Sequence, residues 1–505
     1  MSKTLKDTSV LVVGAGIMGA GIAQVAAQAG HSVRLFDTRD GAAEQAKDKL
    51  AQTLQGLAAK GKLSAEAVEQ TLSRITPIAA LEAAAGVGLV VEAIVEKLDA
   101  KRGLFQQLEA IVSADCVLAT NTSSISVTAI ANGLQQPQRL VGMHFFNPVP
   151  LMKLVEVVSG LQTDAAVATA IFELSQDWGK VPVHARSTPG FIVNRIARPY
   201  YAETLALLQE QAAKPAVLDA CLRSAGFRMG PCELMDLIGH DTNFSVTQSV
   251  FEANFYDKRF VPSLVQRELV DGGLLGRKSG RGFYDYANGV STSELETAQP
   301  VQLPSAQLLR VHGQGPVADH WVAVLMQAGQ AFLRVPTSDW IGLGVEGAQL
   351  RLTDGRTATE LGVEVAVFDL PLNASSGAAL AWAPSLRASP AWMRAAPRWL
   401  ATLGFKPQRV ADTPALVVAR TLAMLINEAA DAVQQGVCTQ DGANAAMKLG
   451  VNYPAGPFEW LAQWSTPAVL GVLDALDAHY RGERYRVSPW LRQRPWMDQE
   501  PRFLS

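Results

Sequence analysis

Val10-Leu11-Val12-Val13-Gly14-Ala15-Gly16-Ile17-Met18-Gly19 decides the fold: a short apolar run, a glycine-punctuated turn, and then an alanine-rich helical stretch over residues 22–29. Strand, tight turn and helix in that order, with G-x-G-x-x-G at the turn, is the pattern of a dinucleotide-binding unit. The next apolar run, residues 32–36, ends at Asp37, 21 residues past Gly16. In this reading Gly14 permits the turn, Gly16 lets the backbone approach a pyrophosphate, and Gly19 lets the helix pack closely on the strand. The free N–H groups of the helix N-terminus face the anion. Asp37 accepts hydrogen bonds from the adenosine ribose and repels a 2′-phosphate, which favours NAD over NADP; Arg34 and Arg39 on either side temper that preference. The competing reading is a glycine-rich turn beside a capping aspartate.

Working outward, further strand-like runs at residues 88–91, 117–119, 139–142 and 154–158 are mostly separated by helical segments. Such alternation implies crossover connections and a mostly parallel, doubly wound sheet with helices on both faces. After Thr188-Pro189-Gly190 strand signals become scarce and helical segments dominate. Residues 287–304 are polar and read as a linker, and beyond them a smaller α/β unit begins, with strand-like residues 308–311, helical residues 317–327 and strand-like residues 331–335. Its Gly313-Gln314-Gly315 has Ala318 at the third glycine position and no acid at the usual distance, so it reads poorly as a cofactor loop. An internal repeat follows. Thr188-Pro189-Gly190-Phe191-Ile192-Val193-Asn194-Arg195 reappears as Thr413-Pro414-Ala415-Leu416-Val417-Val418-Ala419-Arg420, and Gly230-Pro231-Cys232-Glu233 as Gly456-Pro457-Phe458-Glu459. The expected organisation is a Rossmann-type domain (1–188), an all-α domain (189–286), a degenerate α/β unit (305–410) and a second helical repeat (411–505).

At 505 residues and 48% apolar composition the chain is too long for a single core. A net charge of −3 without lysine-rich runs forecasts neither a nucleic-acid nor an anionic-membrane surface. Cys116, Cys221, Cys232 and Cys438 form no C-x-x-C pair, which fits a reducing compartment without structural metal. No apolar stretch reaches the roughly 20 residues needed to cross a bilayer, and a cytoplasmic protein is expected.

Two polar clusters follow neighbouring strands, where a doubly wound sheet places its functional loops: Asn121-Thr122-Ser123-Ser124 and His144-Phe145-Phe146-Asn147-Pro148. His144 is the histidine, among seven, at such a loop, and is the acid/base candidate. A histidine beside aromatics also fits a satisfied core residue. Glu156 interrupts the apolar run Leu154-Val155-Glu156-Val157-Val158, and a carboxylate there needs a partner unless it alternates out to solvent. His144 is a plausible partner, in the manner of the acid that orients a triad histidine.

Gly14–Gly19, Asp37, 121–124, 144–148, Met152-Lys153-Leu154-Val155-Glu156-Val157 and 188–195 together resemble the L-3-hydroxyacyl-CoA dehydrogenase family over roughly residues 10–286. The resemblance implies His144 as general base, Glu156 as its partner, and Ser123 and Asn194 as hydrogen-bonding groups around the substrate 3-oxygen and thioester. It implies NAD contacts at Glu96, Lys101, Asn147 and Lys278. Coenzyme A contacts carry over to Thr53 and Lys60, which also read as solvated helix-face residues. Long members of the family act on 3-hydroxyadipyl-CoA in phenylacetate breakdown or on 3-hydroxybutyryl-CoA, and the first is favoured.

The implied activity is NAD-dependent oxidation of a (S)-3-hydroxyacyl-CoA to the 3-oxoacyl-CoA. Ala419 stands where the first copy has Asn194, so residues 308–505 are expected to hold no second active site. They would serve structurally, standing in for the partner domain with which shorter members dimerise, or covering the acyl end of the pocket; a homo-oligomer stays open. A hydroxyisobutyrate-type dehydrogenase relies on a lysine base, which the His144–Glu156 pair disfavours, and a non-catalytic NAD-binding relative is disfavoured by the complete set Ser123, His144, Glu156 and Asn194.

Overall fold

The computed structural model describes residues 5–287, 298, 300, 308–372 and 377–497. Most of the segment read as a linker at 287–304 lies outside the described residues. The chain divides into two compact units: residues 1–195 with 435–451, and residues 196–434 with 452–505.

The first unit is built on β1 (Val10–Val13), β2 (Val33–Phe36), β3 (Ile75–Pro77), β4 (Leu89–Glu92), β5 (Val117–Thr120), β6 (Leu140–Phe145), β7 (Leu154–Ser159) and β8 (Val181–Arg186). They form one sheet in the order β3-β2-β1-β4-β5-β6-β7-β8. Every neighbouring pair is parallel except β6 and β7, which are antiparallel. The doubly wound expectation holds, and the order reverses between β1 and β4, which opens a crevice at the carboxyl ends of those strands. β1, β4 and β5 are buried along their whole length, as strands covered on both faces are.

Two features depart from the sequence reading. The strand expected to end at residue 142 runs on to Phe145, because β7 continues the antiparallel ladder; His144 therefore sits within a strand and not in the loop after it. The helix Gln440–Gly450, expected in the second helical repeat, packs on β7 and β8 instead. Gly450 makes that seat possible, since a Cβ there would lie 2.7 Å from Leu154 Cδ2 and 3.0 Å from Val193 Cγ2.

The second unit contains β9 (Leu309–His312), β10 (Leu333–Val335), β11 (Gly342–Val345), β12 (Ala348–Leu352), β13 (Val365–Phe368), β14 (Ala379–Pro384) and β15 (Lys406–Arg409), in the order β10-β9-β11-β12-β13-β14-β15. This α/β part is larger in strands than the two runs expected. Strands such as Lys406-Pro407-Gln408-Arg409 carry no apolar periodicity to be read. The helix Arg198–Gln209 of the first helical repeat packs against the helix Val418–Gln434 of the second, so the duplicated helices meet each other within one unit.

Candidate active site

The glycine loop leaves β1 with Gly14 at φ 104°, a conformation that suits glycine. A Cβ on Gly14 would lie 2.4 Å from the Ala93 carbonyl oxygen, and one on Gly19 would lie 1.7 Å from that of Gly14, so both are excluded by backbone. Gly16 has nothing within 4 Å of where its Cβ would be, and faces a cleft of about 780 Å³ lined also by Gly14, Asp37, Arg39 and Ile94. The helix Ile17–Gln28 begins at Gly16 without a side-chain cap, leaving its first N–H groups for an anion. These features fit a dinucleotide pyrophosphate.

Asp37 closes the adenosine end. Its Oδ2 accepts from Ala15 N at 2.8 Å and Arg39 Nη2 at 3.1 Å; its Oδ1 accepts from Arg39 N and Nε, each at 3.0 Å. The Arg39 guanidinium holds the carboxyl down at about 2, with the two backbone amides adding to the effect.

Across the crevice, Glu96 organises the loop after β5. Its Oε1 accepts from Thr122 Oγ1 at 2.6 Å, Ser123 N at 2.9 Å and Ser124 N at 3.1 Å, with Ser123 Oγ at 3.4 Å. Burial pushes the Glu96 carboxyl up, but the Lys101 charge, the Thr122 hydroxyl and the Ser123 amide outweigh it and hold it below the usual range. Lys101, expected to touch the cofactor, is 1% exposed and has its ammonium 2.6 Å from Glu92 and 3.1 Å from Glu96. It holds Glu96 from beneath, because a buried ammonium must stay with its carboxylates. Glu92 was missed in the sequence reading. It is fully buried at the end of β4 and also accepts from Thr120 Oγ1 at 2.6 Å; the signal was the one that exposed Glu156, an acid terminating an apolar run.

His144 on β6 stands directly opposite Glu156 on β7 in the antiparallel register. The ring Nδ1 lies 2.5 Å from Glu156 Oε2, with the two residues 5% and 0% exposed. Glu156 Oε1 accepts from Ile192 N and Val193 N, both at 3.0 Å, so each carboxylate oxygen has a partner. Phe146 and Phe191 pack on the imidazole, with ring centroids 4.6 and 5.8 Å away. Asn194 follows Val193 directly, in the short helix Val193–Ile196, which brings it to this pair through the backbone that Glu156 holds. Asn121 Oδ1 accepts from Phe145 N at 2.8 Å and ties the Ser123 loop to the end of β6.

A second cleft, about 500 Å³, shares Gly16 and Arg39 with the first and is lined by Ala15 and Ile17 and by Asn147, Thr53 and Lys49. The structure thus brings Thr53 to a cavity, although its hydroxyl also donates to Lys49 O at 2.9 Å. Lys60 is exposed at the end of the helix Ala42–Ala59 and does not line that cavity. Lys278 belongs to the second unit, where its ammonium is 2.5 Å from Asp241. The turn that carries it is anchored by Asp236, which accepts from Phe283 N, Tyr284 N and Tyr286 Oη.

Comparison with known proteins agrees with this geometry. Residues 9–188 match the NAD-binding domain of 3-hydroxyacyl-CoA dehydrogenase, and residues 190–286 and again 416–497 match the C-terminal domain of the same family. Residues 350–414 match the reduced Rossmann-fold domain of 3-hydroxybutyryl-CoA dehydrogenase. The chain is 44% identical to 3-hydroxyadipyl-CoA dehydrogenase of Escherichia coli, over 97% of this chain and 98% of that protein. It is similar to the crystal structure of 3-hydroxybutyryl-CoA dehydrogenase from Escherichia coli, with a TM-score of 0.86 and 43% identity over 97% of this chain and 98% of that one. A probable 3-hydroxybutyryl-CoA dehydrogenase of Bacillus subtilis is 41% identical over 56% of this chain and 98% of its own length.

Proposed function

The chain belongs to the 3-hydroxyacyl-CoA dehydrogenase family, and on that premise we propose that His144 and Glu156 carry the oxidation of a (S)-3-hydroxyacyl-CoA to the 3-oxoacyl-CoA. The observation that carries this reading is the buried His144–Glu156 pair at 2.5 Å. Glu156 engages Nδ1, which leaves Nε2 to take the proton of the 3-hydroxyl. The carboxylate then stabilises the imidazolium, and the amides of Ile192 and Val193 hold it in place while it does so. Bound NAD would supply the acceptor for the C3 hydride. Gly14, Gly16, Gly19 and the helix N-terminus hold the pyrophosphate, Asp37 holds the adenosine ribose, and Glu96 sets the Ser123 loop. Ser123 and Asn194 orient the 3-oxygen and thioester. Asn147, which lines the same cleft as Thr53, and Lys278, in the second unit, are the further nucleotide-side candidates, and Thr53, with Lys60 more remotely, serves coenzyme A. As segments of sequence the proposal keeps 1–188, 189–286, 305–410 and 411–505, with the helix Gln440–Gly450 of the last packed in the first compact unit, and it keeps a cytoplasmic setting, which the four free thiols support.

For the acyl chain we favour 3-hydroxyadipyl-CoA, on the strength of the full-length likeness to the enzyme bearing that name. The 3-hydroxybutyryl ester is the second reading, favoured by the names of the two other relatives. NADH formation from a panel of (S)-3-hydroxyacyl-CoA esters decides between them. Higher kcat/KM on the adipyl ester is expected; higher kcat/KM on the butyryl ester rejects the first reading, and turnover of neither rejects both.

A further inference from the structure

Asp37 presents about four lone-pair positions, and all four are taken. Two go to the backbone amides of Ala15 and Arg39, which cannot leave without moving the loop, and two to the guanidinium fork of Arg39. A ribose that hydrogen-bonds this carboxylate must therefore displace the guanidinium. Arg39 is free to go: its side chain is 72% exposed, and an exposed pair of this kind is weak.

The same arginine lines both clefts, the one at Gly14 and Asp37 and the one at Asn147 and Thr53. In the second cleft the helix Ala42–Ala59 contributes Ala46, Lys49, Leu50 and Thr53, which share one helical face. Lys49 is exposed and makes no ion pair among the described residues. Two cations, one fixed on a helix and one tethered to Asp37, thus border a cavity whose proposed occupant carries phosphates.

We infer that Arg39 is exchanged between ligands: the adenosine ribose of the dinucleotide takes its place on Asp37, and the freed guanidinium joins Lys49 on a phosphate of coenzyme A, so that each ligand promotes binding of the other. This rests on the assignment of the second cleft to coenzyme A. The coupling is reciprocal by necessity, since one displaced side chain links both equilibria. Arg39 is a positioning and specificity residue and takes no part in the hydride transfer.

The test is calorimetric titration of the full-length protein with coenzyme A, alone and with saturating NADH, in the wild type, Arg39→Gln and Lys49→Gln. In the wild type NADH tightens coenzyme A binding by about fivefold or more. In Arg39→Gln the tightening disappears, while NADH itself binds as well as or about two- to fivefold better than to the wild type, because nothing competes for Asp37. In Lys49→Gln coenzyme A weakens with and without NADH and the coupling persists. Dephospho-coenzyme A, run in parallel, shows whether the 3′-phosphate is the group held. Unchanged coupling in Arg39→Gln, or loss of its NADH affinity, overturns the inference. So does equal coenzyme A affinity with and without NADH in a wild type that oxidises 3-hydroxyacyl-CoA, which leaves the functional reading standing. Absence of any coenzyme A binding to the wild type overturns both.

Discussion

Glu156 and Asp369 accept hydrogen bonds from equivalent pairs of backbone amides in the two copies of one sequence motif, yet they stand on non-equivalent strands. Glu156 binds Ile192 N and Val193 N; Asp369 binds Val417 N at 3.0 Å and Val418 N at 2.6 Å, and adds Ala419 N at 3.0 Å. Glu156 lies on β7, whereas Asp369 follows β13, whose parallel partner β12 and antiparallel partner β14 make it the counterpart of β6. The carboxylate in the second copy therefore stands at the end of the strand equivalent to the one from which His144 acts in the first. What the duplication kept is the anchoring of a turn; what it lost is the acid/base.

The turn itself is under backbone strain in both copies. Gly190 and Phe191 have φ of 77° and 47°, and Ala415 and Leu416 have φ of 61° and 52°. The first copy uses glycine where the left-handed conformation is cheapest, and the second uses alanine. Ala415→Gly should raise stability by about 0.5–1 kcal/mol, the relief of the Cβ clash being partly offset by the greater freedom of glycine in the unfolded chain. Gly190→Ala should lower it by a similar amount. Urea denaturation of both variants checks this; a destabilised Ala415→Gly would show that the turn is not strained at that position.

With no histidine beside Asp369 among the described residues, one active site per chain is expected. His144→Ala and Asn194→Ala should each lower kcat by about 10²–10⁴ and leave the NADH Kd within about threefold of the wild type. The His144→Ala protein should show no second, low-level saturable turnover. Fluorescence titration with NADH, alongside steady-state assays, gives both numbers; parallel losses of binding and rate would remove His144 from the chemistry.

Glu156→Gln separates orientation from folding. The amide can still accept from Ile192 N and Val193 N, but it no longer offers a charge to an imidazolium. Turnover should fall by about 10²–10⁴ as in the corresponding change of a catalytic triad acid. Stability should fall by about 1–3 kcal/mol through the weakened buried bonds. A lowered melting temperature together with full activity would make the pair a packing feature and remove Glu156 from the chemistry.

The dinucleotide loop, Asp37 and the His144–Glu156 pairing were legible because each is local or breaks a local pattern: glycines at fixed spacing, an acid at a strand end, a charge inside an apolar run. Lys101 was misjudged because its motif places it beside the cofactor region but says nothing of Glu92, nine positions earlier, which draws the ammonium into the core. Arg39 was seen only as a neighbour of Asp37, since the second cleft it borders is assembled from residues as far along as Asn147 and Pro150. The strands of the second sheet were hardest to read. Pairings such as β14 with β15 join distant residues and Lys406-Pro407-Gln408-Arg409 shows no alternation, whereas Ala348-Gln349-Leu350-Arg351-Leu352 does alternate and pairs with β11 across a two-residue turn, a signal the sequence reading passed over.

Acid stability should report the Asp37–Arg39 pair directly. Asp37 is held at about 2 against an ordinary value of 3.8, chiefly by the Arg39 side chain. A carboxyl with a depressed folded-state value contributes stability that is complete above about pH 4 and is lost as pH falls toward 2. In Arg39→Gln that contribution should shrink, so the variant should match the wild type less closely at pH 6 than at pH 2, where the protonated Asp37 no longer distinguishes them. Urea midpoints across this range check it; a constant difference between the two proteins would mean that the pair does not set the Asp37 titration.

Arg420 is the residue on which the two helical repeats depend. Its guanidinium is fully buried, 2.8 Å from Glu203 and 3.1 Å from Glu210 of the first repeat, and it also donates to Tyr480 Oη at 2.9 Å and Tyr485 Oη at 2.6 Å. Arg484 meets the other oxygen of Glu203 at 2.8 Å. Arg420→Met should destabilise by about 3–5 kcal/mol, because it leaves Glu203 buried with only part of its compensation. Adding Glu203→Leu removes the orphaned carboxylate but also strips Arg484 of its partner, so the double variant should recover only a small part of that loss. Denaturation of the two single variants and the double gives the coupling energy. A double variant no more stable than Arg420→Met would place the cost in the packing of the helices Arg198–Gln209 and Val418–Gln434 or in the stranded Arg484, and not in the Glu203 carboxylate.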